Sequence, residues 1–183
     1  MAPGARVLFV GINPGIRSAL TGHHFAGHSN RFWKLLHGSG LVPGPIGCED
    51  DTRLPSWGYG ITNLVPRPTR GIEELTRHEY RAGRRRLVAK VRRLRPRIVA
   101  LVGVTLYRVL FPSRSAAPIR QVLGLRREAI GGAAVFVLPN PSGRNANFSY
   151  TEMLEAFTKL RAVLERPPSG TTAPNPIIPP RGP

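Results

Sequence analysis

A chain of 183 residues with 41% hydrophobic content is long enough to bury one sizeable core without staples. A single cysteine, Cys48, excludes an internal disulfide, a cysteine-based zinc cage and a four-cysteine iron–sulfur cluster, and no apolar stretch has the length to span a membrane. The 27 Lys and Arg against 10 Asp and Glu give a formal charge of +17, which points to a polyanionic partner, most simply nucleic acid, although an arginine-rich proteome would raise the charge without one.

In chain order, Val7–Val10 reads as a first buried strand, continuous rather than alternating and closed by Gly11. The stretch Thr21–Ser29 is glycine-containing and loop-like, and a helical pattern begins near Asn30 with Phe32, Trp33, Leu35 and Leu36. Glu49, Asp50 and Asp51 fall in a loop, and Tyr59–Leu64 is the weakest of the strand patterns. Tyr80, Leu87, Val88, Val91 and Leu94 share a helix face that stops at Pro96 and feeds a third strand, Ile98–Val102. A further helix runs from Val104 to about Phe111, and Val135–Leu138 is the fourth strand. The last helix carries Tyr150, Met153, Leu154, Phe157, Leu160 and Leu164 at helical spacing, is expected directly after residue 143, and has Ser149 with Glu152 as a capping box. Residues 1–165 are therefore expected to form one α/β domain, and the Pro-rich stretch 166–183 a disordered tail.

Two similar segments close strands: Gly11-Ile12-Asn13-Pro14-Gly15 and Asn140-Pro141-Ser142-Gly143. Proline holds the residue before it extended, so Asn13 and Asn140 stay out of any helix with their amides projecting. Parallel strands would bring both to the carboxyl edge of one sheet, where open α/β sheets bind ligands. The first segment lacks the Gly-Lys-Ser/Thr ending of a P-loop and the spacing of a dinucleotide fingerprint, which argues against a small-nucleotide site. No carboxylate sits in either segment, so paired-carboxylate hydrolysis has little support. His23, His24 and His28 suit a solvated or DNA-facing cluster better than a metal site, since no cysteine or second carboxylate lies near them in sequence. Phe25 reads either as a lid over a flat ligand or, by periodicity, as packing. The run Arg81, Arg84, Arg85, Arg86, Lys90, Arg92, Arg93, Arg95 and Arg97 contains no acid. For most of it a solvated helix face is the expected reading, contributing a long-range, salt-sensitive field for capturing DNA.

The two segments, together with Gly22-His23-His24-Phe25, Asn30-Arg31-Phe32-Trp33-Lys34 and Gly60-Ile61-Thr62-Asn63-Leu64-Val65, resemble the mismatch-specific uracil/thymine-DNA glycosylase family, in order and at family spacing over roughly residues 6 to 165. The resemblance implies a three-layer α/β/α sandwich with a mostly parallel central sheet of about four strands. It also implies hydrolysis of the N-glycosidic bond of a mispaired or damaged pyrimidine flipped out of double-stranded DNA. The expected enzyme is a monofunctional glycosylase without metal or cofactor, monomeric, bacterial and cytoplasmic, held to the nucleoid through DNA. A protein of the same fold that binds damaged or mispaired DNA without cutting is the competing expectation.

Carried over by resemblance, Asn13 orients the attacking water at the sugar C1′, the main chain of Ile12 lines the pyrimidine pocket, and Phe25 stacks on the flipped base, which reverses the periodicity reading. Ser18 lies near the base C5 substituent. Asn63 contacts the pyrimidine edge, at a position where the best-known bacterial mismatch-uracil branch has lysine and the animal thymine branch has asparagine. Asn140, Ser142 and Gly143 grip the backbone flanking the flipped nucleotide. Arg144 stands where bacterial relatives often carry an apolar wedge and is expected to fill the vacated stack and bond to the orphaned guanine.

Overall fold

The four continuous apolar runs pair as parallel strands in the computed structural model, which describes residues 3–112 and 117–166. They are β1 (Val7–Gly11), β2 (Tyr59–Asn63), β3 (Ile98–Val102) and β5 (Ala133–Leu138). A fifth strand, β4 (Gly124–Ile130), runs antiparallel along β5, giving the order β2-β1-β3-β5-β4. The sequence reading missed β4 for a physical reason. As an edge strand exposed on alternate residues it carries Arg126, Arg127 and Glu128, so it has no continuous apolar run of the kind that marks strands buried on both faces.

The strand pleat sorts the core into two layers. Val7 and Phe9 face one side, against α2 (Phe32–Gly38), α5 (Tyr150–Glu165) and the 3-10 helix Cys48–Trp57. Leu8 and Val10 face the other, against α3 (Arg77–Leu94) and α4 (Val104–Leu110). The result is a three-layer α/β/α sandwich with five strands instead of the expected four. A short α1 (Ile16–Thr21), also unforeseen, buries none of its residues and sits just beyond the end of β1. Glu49, Asp50 and Asp51 belong to the 3-10 helix and not to a loop. The expected tail, apart from Arg166, lies outside the described residues. No helix among the described residues is long and apolar enough to cross a membrane.

Loop chemistry explains the helix boundaries. Thr76 caps α3 by accepting the Glu79 N–H, while Glu79 accepts the Thr76 N–H, a reciprocal box that the sequence reading did not use. Ser149 and Glu152 form the expected box on α5. That helix does not follow the second Asn-Pro segment directly, because residues 144–149 intervene as a turn in which the Asn147 N–H donates to Asn145 Oδ1.

The Glu79 and Glu152 carboxylates are each held down to about 2. At Glu79 the Arg67 guanidinium is the main cause; at Glu152 it is the Ser149 N–H, followed by Arg120. Depressed carboxyl groups stabilise the fold above their unfolded values and lose that contribution as pH falls through the folded ones. Melting temperature should therefore drop from about pH 4.5 towards about pH 2, and in E79Q/E152Q it should be lower at neutral pH with a shallower acid limb. An unchanged acid limb in the double variant would show that these groups do not drive it.

Candidate active site

Parallel pairing of β1 with β2 and β3, and of β3 with β5, brings the carboxyl ends of the strands to one edge. There a cavity of about 260 Å3 is lined by Ile12, Asn13, Ser18, Phe25, Asn63 and Asn140, among others, and by no carboxylate. Small-ligand sites span roughly 300–1,000 Å3, so this one suits a single base better than a dinucleotide. Two contacts tie the first segment's side of the mouth to the second: the Arg31 N–H donates to the Pro141 carbonyl at 2.9 Å, and Gly143 packs so closely on Ser29 that a Cβ there would lie 2.5 Å from the Ser29 Cβ.

Asn13 is oriented without ambiguity. Its Nδ2 donates to Thr69 Oγ1 at 2.7 Å and to the Arg67 carbonyl at 3.1 Å, and the Thr69 hydroxyl spends its proton on the Gly71 carbonyl at 2.8 Å. Thr69 can then only accept from Asn13, so the nitrogen faces the 67–69 loop and Oδ1 is left for the cavity. Thr69 is 4% exposed and was not foreseen; in the sequence it is one residue of a Pro66-Arg67-Pro68 loop with no periodicity. Arg67 is anchored in turn by Glu79, with Nε to Oε1 at 2.6 Å and Nη2 to Oε2 at 3.1 Å.

Asn63 ends β2, and neither of its amide atoms has a partner among the described residues, so both are available to a ligand. Its Oδ1 occupies the space where a Cβ on Gly11 would stand, 2.6 Å away. Phe25 both packs and borders the cavity. Its ring stacks on Phe32, with centroids 4.2 Å apart and planes inclined by 26°, and it also lines the cavity. The backbone is left-handed at Phe25, with φ 52°, a conformation that costs a non-glycine residue about 1–2 kcal/mol. The neighbours hold it there: the Ala26 N–H donates to Ser18 Oγ at 3.0 Å, Arg17 Nε to the Ala26 carbonyl at 2.8 Å, and Trp33 Nε1 to the His24 carbonyl at 3.1 Å. Ser18 thus positions the Phe25 turn in addition to lining the cavity.

The Ile12 carbonyl accepts the Val65 N–H at 2.8 Å while its side chain packs on the core. Asn140 differs from Asn13. Its Oδ1 turns back to accept the Ser142 N–H at 3.1 Å, and its carbonyl accepts Asn145 Nδ2 at 2.8 Å, so this asparagine shapes the loop instead of projecting its oxygen. Ser142 Oγ accepts the Arg144 N–H at 3.3 Å, and the Arg144 side chain is exposed with no partner among the described residues.

The three histidines separate. His28 is exposed, His23 Nδ1 lies 3.3 Å from Asp51, and His24 lines the cavity. Burial pushes His24 below its ordinary 6.5, outweighing the upward pull of Asp51, so a neutral ring faces the site at neutral pH. No group of three or more His, Cys, Asp or Glu side chains that could hold a metal occurs among the described residues.

A model of the uracil DNA glycosylase superfamily matches residues 1–164. The chain belongs to this superfamily. Its members are DNA glycosylases, hydrolases that release damaged bases in repair, so a DNA substrate accounts for the +17 charge. The cavity at the strand ends gathers Asn13, Phe25 and Asn63 on one side of this superfamily member.

Proposed function

We propose that the protein is a monofunctional, mismatch-specific glycosylase that flips uracil opposite guanine out of duplex DNA and hydrolyses its N-glycosidic bond, initiating base-excision repair. Thymine and modified pyrimidines fall within its range. The observation that carries this reading is the locked Asn13 amide, whose free Oδ1 faces the same cavity as the unpaired Asn63 and the Phe25 ring.

In this reading the Phe25 ring covers one face of the flipped base, Asn63 addresses its polar edge, and Asn13 Oδ1 accepts a hydrogen from a water held against C1′. An amide oxygen orients that water but does not take its proton as a carboxylate would. Bond breaking therefore runs ahead of water attack, and catalysis rests on positioning and on dipoles around the departing base anion. Turnover is slow and follows the acidity of the leaving base. Arg144, free in the exposed second loop, enters the duplex to fill the gap, while Asn140, Ser142 and Gly143 hold that loop against the backbone. A mispair is cheaper to open than a matched pair, which adds to selectivity. The protein acts as a monomer without metal or cofactor, in the cytoplasm on nucleoid DNA.

Single-turnover assays with enzyme in excess over G·U, G·T, A·U and single-stranded uracil substrates test this. Release is expected to be fastest from G·U. No release from any substrate would leave a DNA-binding protein of the same fold. Asn63→Ala should change the ratio of uracil to thymine release by about tenfold, the scale of one lost hydrogen bond to a bound base. An unchanged ratio would remove Asn63 from the specificity assignment.

A further inference from the structure

Between Glu79 and Glu128 the chain has no acidic residue, and the densest basic part of that interval is α3. Gly83, Leu87, Val91 and Leu94 face the sheet. On the far side Arg81, Arg85 and Arg92 fall within about 40° of one another around the helix, and Arg84 stands on the flank, about 60° from Arg81. All four are exposed, and none has a hydrogen-bond or ion-pair partner among the described residues.

Some arginines elsewhere are engaged, while others, such as Arg31, Arg70, Arg127 and Arg144, also have no side-chain partner among the described residues. Arg67 is paired with Glu79, Arg120 with Glu152 and Arg161 with Glu165, and Arg97, at the end of the same basic run, holds the Val163, Leu164 and Arg166 carbonyls at the close of α5. On α3 the unpaired arginines stand close together along one helix, with no acid between Arg81 and Arg92 to pair with them. Mutual repulsion along such a row is a cost that a polyanion relieves.

The direction of α3 decides which polyanion segment the row serves. Gly83 sits against the Leu64 carbonyl just beyond the end of β2, Lys90 Nζ donates to Thr62 Oγ1 at 2.6 Å, and the Leu94 carbonyl accepts the Gly4 N–H at 2.9 Å before β1 begins. The helix therefore starts at the carboxyl edge, where the site lies, and runs down to the opposite edge. At about 1.5 Å per residue, Arg92 stands roughly 22 Å below Arg77. In the proposed reaction the duplex lies across the strand ends, and screening at physiological salt has a length of about 8 Å. The lower part of the row is out of reach of that duplex.

We propose that the outer face of α3, centred on Arg85 and Arg92, is a second duplex-DNA-binding surface that holds a segment other than the one in the active site. Among the described residues the aromatic beside the row is Tyr80, half-buried with its hydroxyl donating to the Ile72 carbonyl, so the row lacks the series of exposed stacking platforms that single strands require. A line of guanidinium groups suits backbone phosphates read without sequence. Such a surface keeps the protein on long DNA while the site samples base pairs, and passes it between neighbouring segments. The proposal rests on DNA as the substrate of the superfamily and is independent of mismatch preference.

The test uses the full chain and R84Q/R85Q/R92Q. Protein bound to an immobilised short G·U duplex is offered a labelled lesion-free duplex, and the mass of the complex is measured. The wild type should form a complex of one protein with two duplexes. The triple variant should bind the second duplex at least about tenfold more weakly, with a salt slope lower by about three. Its melting temperature and its single-turnover base release from a short duplex should stay within about twofold of wild type. Saturation of the wild type at one duplex per protein, undiminished second-duplex capture by the variant, or preference of the second site for single-stranded RNA would each overturn the proposal. Absence of base release by the wild type, with second-duplex capture intact, would count against the glycosylase reading and leave this surface standing.

Discussion

Asn13→Ala should lower single-turnover release of uracil from a G·U duplex by about 10²–10³-fold, the loss typical of removing one preorganised polar group from a transition state. Affinity for the same duplex should change less than about threefold. The split follows from the proposed role: Asn13 Nδ2 is committed to Thr69 and the Arg67 carbonyl, so the side chain has only its oxygen to offer, and in the proposed reaction that oxygen holds the water. Binding lost in parallel with release would instead make Asn13 a DNA contact. Thr69→Val supplies a companion measurement. It keeps the shape but removes the hydroxyl that accepts from Asn13 and donates to Gly71. With that restraint gone the amide can rotate, and release should fall by about tenfold or more, since small misplacements at a reacting centre are amplified. Thr69→Ser, which retains the hydroxyl, should recover most of the rate.

The contrast between Asn13 and Thr69 shows how far the sequence carries. Asn13 was legible because proline and glycine around it, placed after an apolar run, dictate an extended residue at a sheet edge. Thr69 was not, because its role depends on a hydroxyl meeting an amide 56 residues earlier, a contact that no local pattern encodes. The strands of the parallel sheet were visible as continuous apolar runs, whereas β4 mixes charges with alternating burial and α1 buries nothing. The two Asn-Pro segments looked equivalent in sequence, yet Asn140 spends its oxygen on its own loop while Asn13 keeps its oxygen free. The difference lies in neighbours that arrive from elsewhere in the chain. Phe25 resisted a single reading for the same reason: one ring face meets Phe32 and the side chain still borders the cavity.

Gly11→Ala should cost about 10- to 100-fold in base release while leaving the fold intact. Gly11 is buried at the end of β1 and is not among the residues with positive φ, so alanine fits its backbone. Removing a glycine from such a position ordinarily stabilises a protein by about 0.4–1 kcal/mol through the unfolded chain. Here a new Cβ would stand 2.6 Å from Asn63 Oδ1 and 3.5 Å from Phe25 Cζ. The second distance is ordinary contact, and the first is not. Asn63 must therefore leave its place in the cavity lining, from which it is proposed to address the base, and the damage falls on the site while the core is spared. A double-mutant cycle isolates this cause, because contacting residues give non-additive effects. Once Asn63 is truncated to alanine nothing polar remains for the Cβ to displace, so G11A/N63A should release uracil at about the rate of Asn63→Ala alone. If the two losses multiply instead, Gly11 acts on the base directly, by admitting its ring against the β1 backbone, and not through Asn63.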